Sequence, residues 1–495
     1  MPPLQLGLDD TPLITCAQVD GLHVPDLPPE LWIEILSYIP RGLARKTIGI
    51  NRYLFEKGMN ELYTEIWIDS HQGVGRKTFE QMRYPSISSR VRQLSIQPKF
   101  LPGLCAEESR TKIQLKARKT EIRQFLDTAL ATLTNCSQLR DLKIILHDQI
   151  LPKSFLTFLK KLIKRIGHQL RTLTLDVTCS CFLPICDFFP KRLIHLSSLT
   201  VAMTDSDAEP PSAPEVRKAC RALIEIITSA RKTLQSLAME SFTFSFVDFL
   251  EKLPNIPSLR SFEVRASYIS STLSPGTHLR TLLQKQDDNL ERLAIRQPRV
   301  AEKGAWLPDE TLMIVFDPVF SLRMSTLQEL DLEIEYRVIL ARLTRYIVTF
   351  APCLKRLTLW GQNAALTYND FLKLLDLLHN SDSGLEHLQI SVMVFSPDHL
   401  DLLSSRLPPL KALDLRYKLL GESKETNGDE EDENVVYQAF RSRRYAQWKL
   451  KSLKIMHLPE IPRSQKGYPD TRLINTVAQS LPSLTRVVRS WDEDL

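Results

Sequence analysis

At 495 residues, 43% of them hydrophobic, the chain is long enough to bury a large core, and 64 basic against 58 acidic residues leave a net charge of only +6. That balance lacks the blocky basicity of a dedicated nucleic-acid binder. The first twenty residues lack the basic and apolar regions of a secretory signal, and no uncharged apolar run approaches the ~20 residues needed to cross a bilayer. Eight cysteines without framework spacing fit reduced thiols and a cytoplasmic or nuclear location.

Residues 1–22 are expected to be disordered or loosely attached. The first element is VPDLPPELWIEILSYIP, residues 24–40. Pro28 and Pro29 suit a first helical turn, where a missing N–H costs little. Leu31, Ile35 and Ile39 recur at i, i+4 and i+8, Trp32 and Leu36 widen the stripe, and Pro40 stops the helix. Leu43, Ile48 and Ile50 lead to a second helix over 51–62 carrying Leu54, Phe55 and Leu62, and LYTEIWI at 62–68 reads as a closing strand. A helical cap on a stacked array is one reading of this segment. The first helix, however, is apolar on two adjacent faces, more than one capping contact uses.

The pattern Leu27-Pro28, Glu30-Leu31, Ile35-Leu36 and Ile39-Pro40, followed by Leu62-Tyr63 and an L-Y-x-x-I-x-I ending, resembles an F-box, the short helical module that docks on a Skp-type adaptor of a cullin ubiquitin ligase. With its degenerate downstream leucine repeats, the chain is similar to fungal F-box proteins. The resemblance implies a small all-helical domain over 23–68. It also implies an adaptor-binding surface of Leu27, Pro28, Leu31, Ile35, Leu36, Ile39 and Pro40.

Residues 69–90, with Gly73, Gly75, Pro85 and four serines, read as a linker. Beyond it one phrase recurs, L-x-x-L-x-(L/I/V), starting at Leu139, Leu170, Leu196, Leu290, Leu327, Leu354, Leu385, Leu410 and Leu450, and at Leu259 with Phe262 in its second slot. Looser copies start at Val91, Leu234 and Leu484. In LKRLTLWG, residues 354–361, Leu357 and Leu359 share one face of a strand and Thr358 and Trp360 the other. From Leu139 onward the starts lie 25 to 40 residues apart, room for one strand and one helix per unit, as in leucine-rich repeats. A single unit cannot bury its apolar faces, so residues 91–495 are expected to stack into an α/β solenoid with parallel strands on a concave face and helices on a convex one. The Asn or Cys that follows the strand in regular repeats is mostly missing, which makes the array irregular.

Helical periodicity lies between the phrases: a long, basic, amphipathic stretch over 106–133, then 155–166, 216–230 and 368–380. Insertions near 204–214, 298–308 and 421–434 interrupt the rhythm. The last, GESKETNGDEEDEN, contains no apolar residue and is expected to be disordered. RSRRYAQWKLK, 441–451, reads as a charged convex helix, with nuclear import or nucleic-acid contact as the alternative.

No phosphate-cradling glycine motif is present among sixteen glycines, and the ten histidines are scattered away from any nucleophile motif. Cys179, Cys181 and Cys186 form C-x-C-x4-C without the second pair a zinc site needs, so core packing is expected. No catalytic, cofactor or metal residue is assigned. The expected role is a non-catalytic substrate receptor of a cullin-type ligase, with a Skp-type adaptor, a cullin and a target protein as partners, and neither membrane nor nucleic acid among them. The rival is a ligase-independent scaffold whose N-terminal helices only cap. For the target, positions 3, 5 and 7 of successive phrases are expected to face away from the core. They set Arg292 and Arg296 beside Glu329, Asp331 and Glu333, then Arg356 and an exposed Trp360. The same charges would mean nothing about partners if they only neutralise one another across strands.

Overall fold

The computed structural model describes residues 27–39, 52–71, 74–101, 112–147, 151–190, 192–204, 212–241, 246–266, 276–296, 318–333, 343, 346–347, 349–361, 365–380, 384–421, 433–458, 468–469 and 471–487. The chain divides into two compact units, residues 1–64 and 65–495.

In the first unit a helix spans Pro29–Tyr38, with proline in its first turn, and a second spans Arg52–Tyr63. The Pro28 carbonyl accepts the Leu31 and Trp32 amides at 3.1 and 3.2 Å, satisfying donors that a helix start otherwise leaves open. Contacts between the helices include a ring stack and a side-chain hydrogen bond. Trp32 stacks on Tyr53 with ring centroids 6.2 Å apart, and the Lys57 ammonium donates to the Leu36 carbonyl.

The second unit is α/β, built on one sheet. In chain order its strands are β1 (Glu65–Ile68), β2 (Gln93–Ile96), β3 (Asp141–Leu146), β4 (Thr172–Thr178), β5 (Ser198–Thr204), β6 (Ser236–Ser241), β7 (Ser261–Ala266), β8 (Arg292–Arg296), β9 (Glu329–Glu333), β10 (Arg356–Trp360), β11 (His387–Phe395), β12 (Ala412–Leu420), β13 (Ser452–His457), β14 (Tyr468–Pro469) and β15 (Arg486–Val487). Strands β1 to β13 pair with their sequence neighbours, all parallel; β15 pairs parallel and β14 antiparallel with β13. Sequential parallel strands with helices between them are the solenoid-like arrangement that the phrase spacing predicts.

Each strand that belongs to a phrase starts two residues after the phrase does. The register is phrase to phrase: Leu330, Leu357, Leu388, Leu413 and Leu453 lie side by side. On β10 the alternation is visible directly, since Leu357 and Leu359 are buried while Thr358 and Trp360 are half-buried. Helices supply the other half of the core. Lys153–Ile166, for example, buries Phe155, Phe158, Leu159, Leu162, Ile163 and Ile166, three- and four-residue steps around one stripe.

A hydrogen-bond pattern fixes the entry to each strand. The carbonyl at phrase position 2 accepts the amides of positions 2 and 3 in the next unit. It begins with Arg92, which takes Arg140 and Asp141 at 2.9 and 3.0 Å, and it runs without a break to Lys451, which takes Thr485 and Arg486 at 2.9 Å each. A hydroxyl just before the phrase adds a strap in four units: Thr233, Ser258, Thr326 and Ser483 donate to the carbonyls of Leu196, Leu234, Leu290 and Leu450 at 2.8 to 2.9 Å.

Several boundaries differ from the expectations. The strand expected at 62–68 begins at Glu65, after the helix has run to Tyr63. It pairs with β2 and so opens the sheet rather than closing the helical domain. The expected linker 69–90 contains helices at Val74–Gln81 and Pro85–Ser88, with Phe79, Met82 and His71 buried. Gly75 lies inside that first helix, at a close approach where a side chain would sit 2.6 Å from the Ser70 carbonyl oxygen. The helix expected over 106–133 is described from Lys112 to Leu133. The run 441–451 is not a convex helix: the helix Glu433–Ser442 ends just inside it. Tyr445 and Trp448 then turn into the core, where the Tyr445 hydroxyl donates to Asp401 at 2.7 Å and the Trp448 indole to the Leu407 carbonyl at 3.3 Å. Of the insertions, 205–211, 297–317 and 422–432 lie outside the described residues, as do 1–26.

The register makes a stability prediction. Leu357→Asp places an unpaired carboxylate in the row of leucines, at a cost of several kcal/mol. Neighbouring units rest on that row, so thermal melting should drop sharply, and limited proteolysis should cut on both sides of β10. An unchanged melting temperature would contradict the register.

Candidate functional site

Two surfaces carry the sequence-predicted site residues. On the helix Pro29–Tyr38, Leu31 and Ile35 lie one turn apart and are 44% and 40% exposed; Tyr38, 78% exposed, is almost one turn further on. Pro28 is exposed, while Leu27, Leu36 and Ile39 are half-buried; Pro40 lies outside the described residues. Phe55 on the second helix is also exposed, at 42%. Large apolar side chains are thus exposed on both described helices of this unit.

The second surface is the open face of the sheet over β7 to β13. Register places Arg292, Glu329, Arg356 and His387 in one row, and Ala294, Asp331, Thr358 and Gln389 in the next. In the first row opposite charges alternate from Arg292 to Glu329 to Arg356, and they pair. Arg296 donates to Glu263 at 3.0 Å and through Nε to Asp331 at 3.0 Å, with a second, shorter contact to Asp331. Burial works against the Arg296 charge, yet the Asp331 and Glu263 carboxylates outweigh it and hold the guanidinium above the ordinary arginine range. Arg265 lies 3.6 Å from Glu240 and 3.5 Å from Glu263, extending the network to β6. At the strand entries Glu329 lies between Arg292 and Arg356, at 3.7 and 3.9 Å.

The alternation expectation fails at particular positions. Arg265, Ala294 and Ser391, all in slots expected to face outward, are buried. Trp360 is half-buried rather than exposed, because the Arg416 guanidinium lies 4.9 Å from its ring centroid. Arg416 is two strands away, and the residue between them in register is Ser391, small enough for the arginine to reach across. A groove of about 510 Å³ opens on this face, lined by Arg292, Arg356, Thr358, Gln389, Lys454 and Arg486 among others. Burial and the Arg356 charge push the His387 imidazole at its wall below its ordinary value.

Elsewhere the reactive side chains are packed. Cys179, Cys181 and Cys186 are buried, and burial pushes the Cys179 and Cys186 thiols up to about 11, away from the thiolate that a metal needs. No group of three metal-ligating side chains occurs among the described residues. Nor is any helix among them long and apolar enough to cross a membrane.

His399, which sequence reading passes over, is buried among Tyr368, Phe371 and Phe395. Its Nδ1 accepts the Ser396 amide at 3.3 Å, making it the third-position partner of a capping box on the helix Pro397–Arg406. A histidine three residues after a serine that precedes a proline was the available signal.

The class this geometry defines is a stacked β/α repeat protein with a polar open sheet face, preceded by a small helical unit. Compared with known proteins, the chain matches no family model and no curated protein.

Burial lowers the His399 imidazole to about 4 from an ordinary 6.5. The folded state therefore resists a proton that the unfolded chain accepts. Stability is full above pH 6.5 and falls as pH drops toward 4, by about 3 kcal/mol at most. Urea unfolding at pH 7.5 and 4.5 should show a larger loss in the native chain than in His399→Gln, which keeps a capping-box side chain without the titration. Equal losses would refute the assignment.

Proposed function

We propose that this chain is a substrate-recognition subunit of a cullin-type ubiquitin ligase. Its N-terminal helices dock on a Skp-type adaptor, and its repeats hold a target protein. The observation that carries the reading is the pair Leu31 and Ile35, exposed one turn apart on a ten-residue helix whose sequence resembles an F-box. Fully burying a large aliphatic side chain contributes roughly 1.5–3 kcal/mol, so two such anchors in an adaptor groove account for several orders of magnitude in affinity. The repeats contribute position: a target held near the ubiquitin-carrying subunit reacts by proximity, with the chemistry supplied by other subunits.

On the sheet, the side chains available to a target differ from those the sequence marks out. Arg296, Asp331 and Trp360 already have partners within the fold, and so have Glu329 and Arg265. Arg292 and Arg356 are exposed and share one carboxylate between them, so each retains donors for a partner. With the groove that both line they are the favoured part of the patch, and Glu333, half-buried at the end of β9, does not line it.

Leu31→Ala with Ile35→Ala should abolish co-purification of the adaptor while the melting of the repeats stays as it was. Undiminished adaptor binding by a folded double variant would sink the docking assignment. Separately, Arg292→Glu with Arg356→Glu should reduce capture of the target at least tenfold and leave adaptor binding intact. A target identified by cross-linking whose capture survives both reversals would move its site off this groove.

A further inference from the structure

We infer that Arg92, Arg140 and Arg171 form a binding row for an extended acidic segment of a partner protein, which under the reading above is the target. These three occupy phrase position 2 on consecutive units, and the carbonyl pattern puts them on successive rungs: Arg140 bonds to Arg92, and Arg171 to Arg140. All three are exposed. Arg171 makes one weak bond, at 3.4 Å, to the His195 carbonyl, and neither Arg92 nor Arg140 forms an ion pair among the described residues.

The same row is neutralised elsewhere. Arg260 pairs with Glu291 on the next unit at 2.8 Å, and Glu386 pairs with Lys411 at 2.6 Å. Like charges on adjacent strands destabilise a sheet, and complementary ones support it. Three consecutive arginines are therefore a place where the fold forgoes a pairing that it makes twice in the same row. Asp141, the next residue after Arg140, takes position 3 and faces the open side of the sheet.

The stretch of chain that holds Arg140 and Arg171 has the same sign. Residues 112–171 hold thirteen basic and four acidic residues, a net of +9, more than the +6 of the whole chain. Lys164 and Arg165, both exposed, lie in the last turn of the helix that leads into Arg171.

The geometry favours a polypeptide. Adjacent strands lie about 4.8 Å apart, so the row spans roughly 10 Å; alternate side chains of an extended segment repeat at roughly 6.6 Å, within reach of flexible arginines. A guanidinium fork matches the two oxygens of a carboxylate, and equally those of a phosphoryl group on a serine. The strand entries 90–95, 138–143 and 169–174 contain no aromatic residue on which bases could stack, which disfavours single-stranded nucleic acid.

The test uses the full chain and labelled ten-residue probes followed by fluorescence anisotropy: a glutamate-rich peptide, its phosphoserine counterpart, its glutamine counterpart and a ten-nucleotide RNA. The two acidic peptides should bind with an affinity that falls as salt rises, their ratio showing whether carboxylates or phosphoryl groups are preferred, and the glutamine peptide should not bind. Arg92→Glu, Arg140→Glu and Arg171→Glu together should weaken binding at least tenfold. Lys355→Glu with Lys451→Glu, reversals in the same row but outside the arginines, should change it less than twofold. If the triple variant fails to fold, the three single Arg→Gln variants should each weaken binding severalfold. Unchanged binding in those folded variants, equal losses in the control, or preference for the RNA would overturn the inference. Adaptor co-purification by the same variants separates this result from the ligase reading, since that contact should not change.

Discussion

The shared carbonyl at each strand entry is the constraint on which the repeat unit depends. One acceptor takes two amides from the following unit, so that unit has no freedom to slip along the stack. In a parallel sheet a shift of one residue would turn every leucine toward water. The apolar row Leu330, Leu357, Leu388, Leu413 and Leu453 is thus a consequence of a polar one. The hydroxyl straps at Thr233, Ser258, Thr326 and Ser483 act at the same place. They bind a carbonyl of the preceding unit just before the chain enters its strand. Between these points unit length varies, with phrase starts 25 to 40 residues apart from Leu139 onward.

Once register is fixed, charge follows position. Residues in the same slot of adjacent phrases become neighbours, so slots hold charge patterns rather than individual charges. Glu263, Arg296 and Asp331 on consecutive strands pair with one another in a half-buried setting. Such a network leaves little for a partner to recognise, because removing any member strands another. The surface open to a partner is where the pattern is incomplete. At Arg292 and Arg356 two guanidinium groups share the Glu329 carboxylate; at Arg92, Arg140 and Arg171 three arginines have none among the described residues.

The repeating elements were legible in the sequence because each strand states its own periodicity in six residues. The phrase and its looser copies located every strand from β2 to β13, and β15, and the helices 155–166 and 368–380 followed from their apolar steps. What the sequence hid was local competition. Gly75 reads as a loop residue but marks a close approach to the Ser70 carbonyl, and the run at 441–451 reads as a charged face until Tyr445 and Trp448 find Asp401 and Leu407. The outward slots were legible as slots but not as exposures. Whether Trp360 faces water depends on Arg416, 56 residues later in the chain, and on Ser391 being small. Pairings of that range follow from register and side-chain length together, and a linear pattern contains only the first.

A stacked sheet must also end, and its last strand offers unpaired backbone to any other chain. Here β13 is covered by two short pieces instead of one full strand. Its first half pairs with β15, which brings Arg486 against Ser452 and Val487 against Leu453. Its second half pairs with β14, where Met456 meets Pro469 and His457 meets Tyr468 in the antiparallel sense. Proline cannot donate to a further strand, and a two-residue strand gives an incoming one almost nothing to align with. Splitting the edge in this way lets two unrelated loops do what a capping helix does in other arrays. It also breaks the direction of the sheet, since β14 opposes the parallel run that every earlier unit continues.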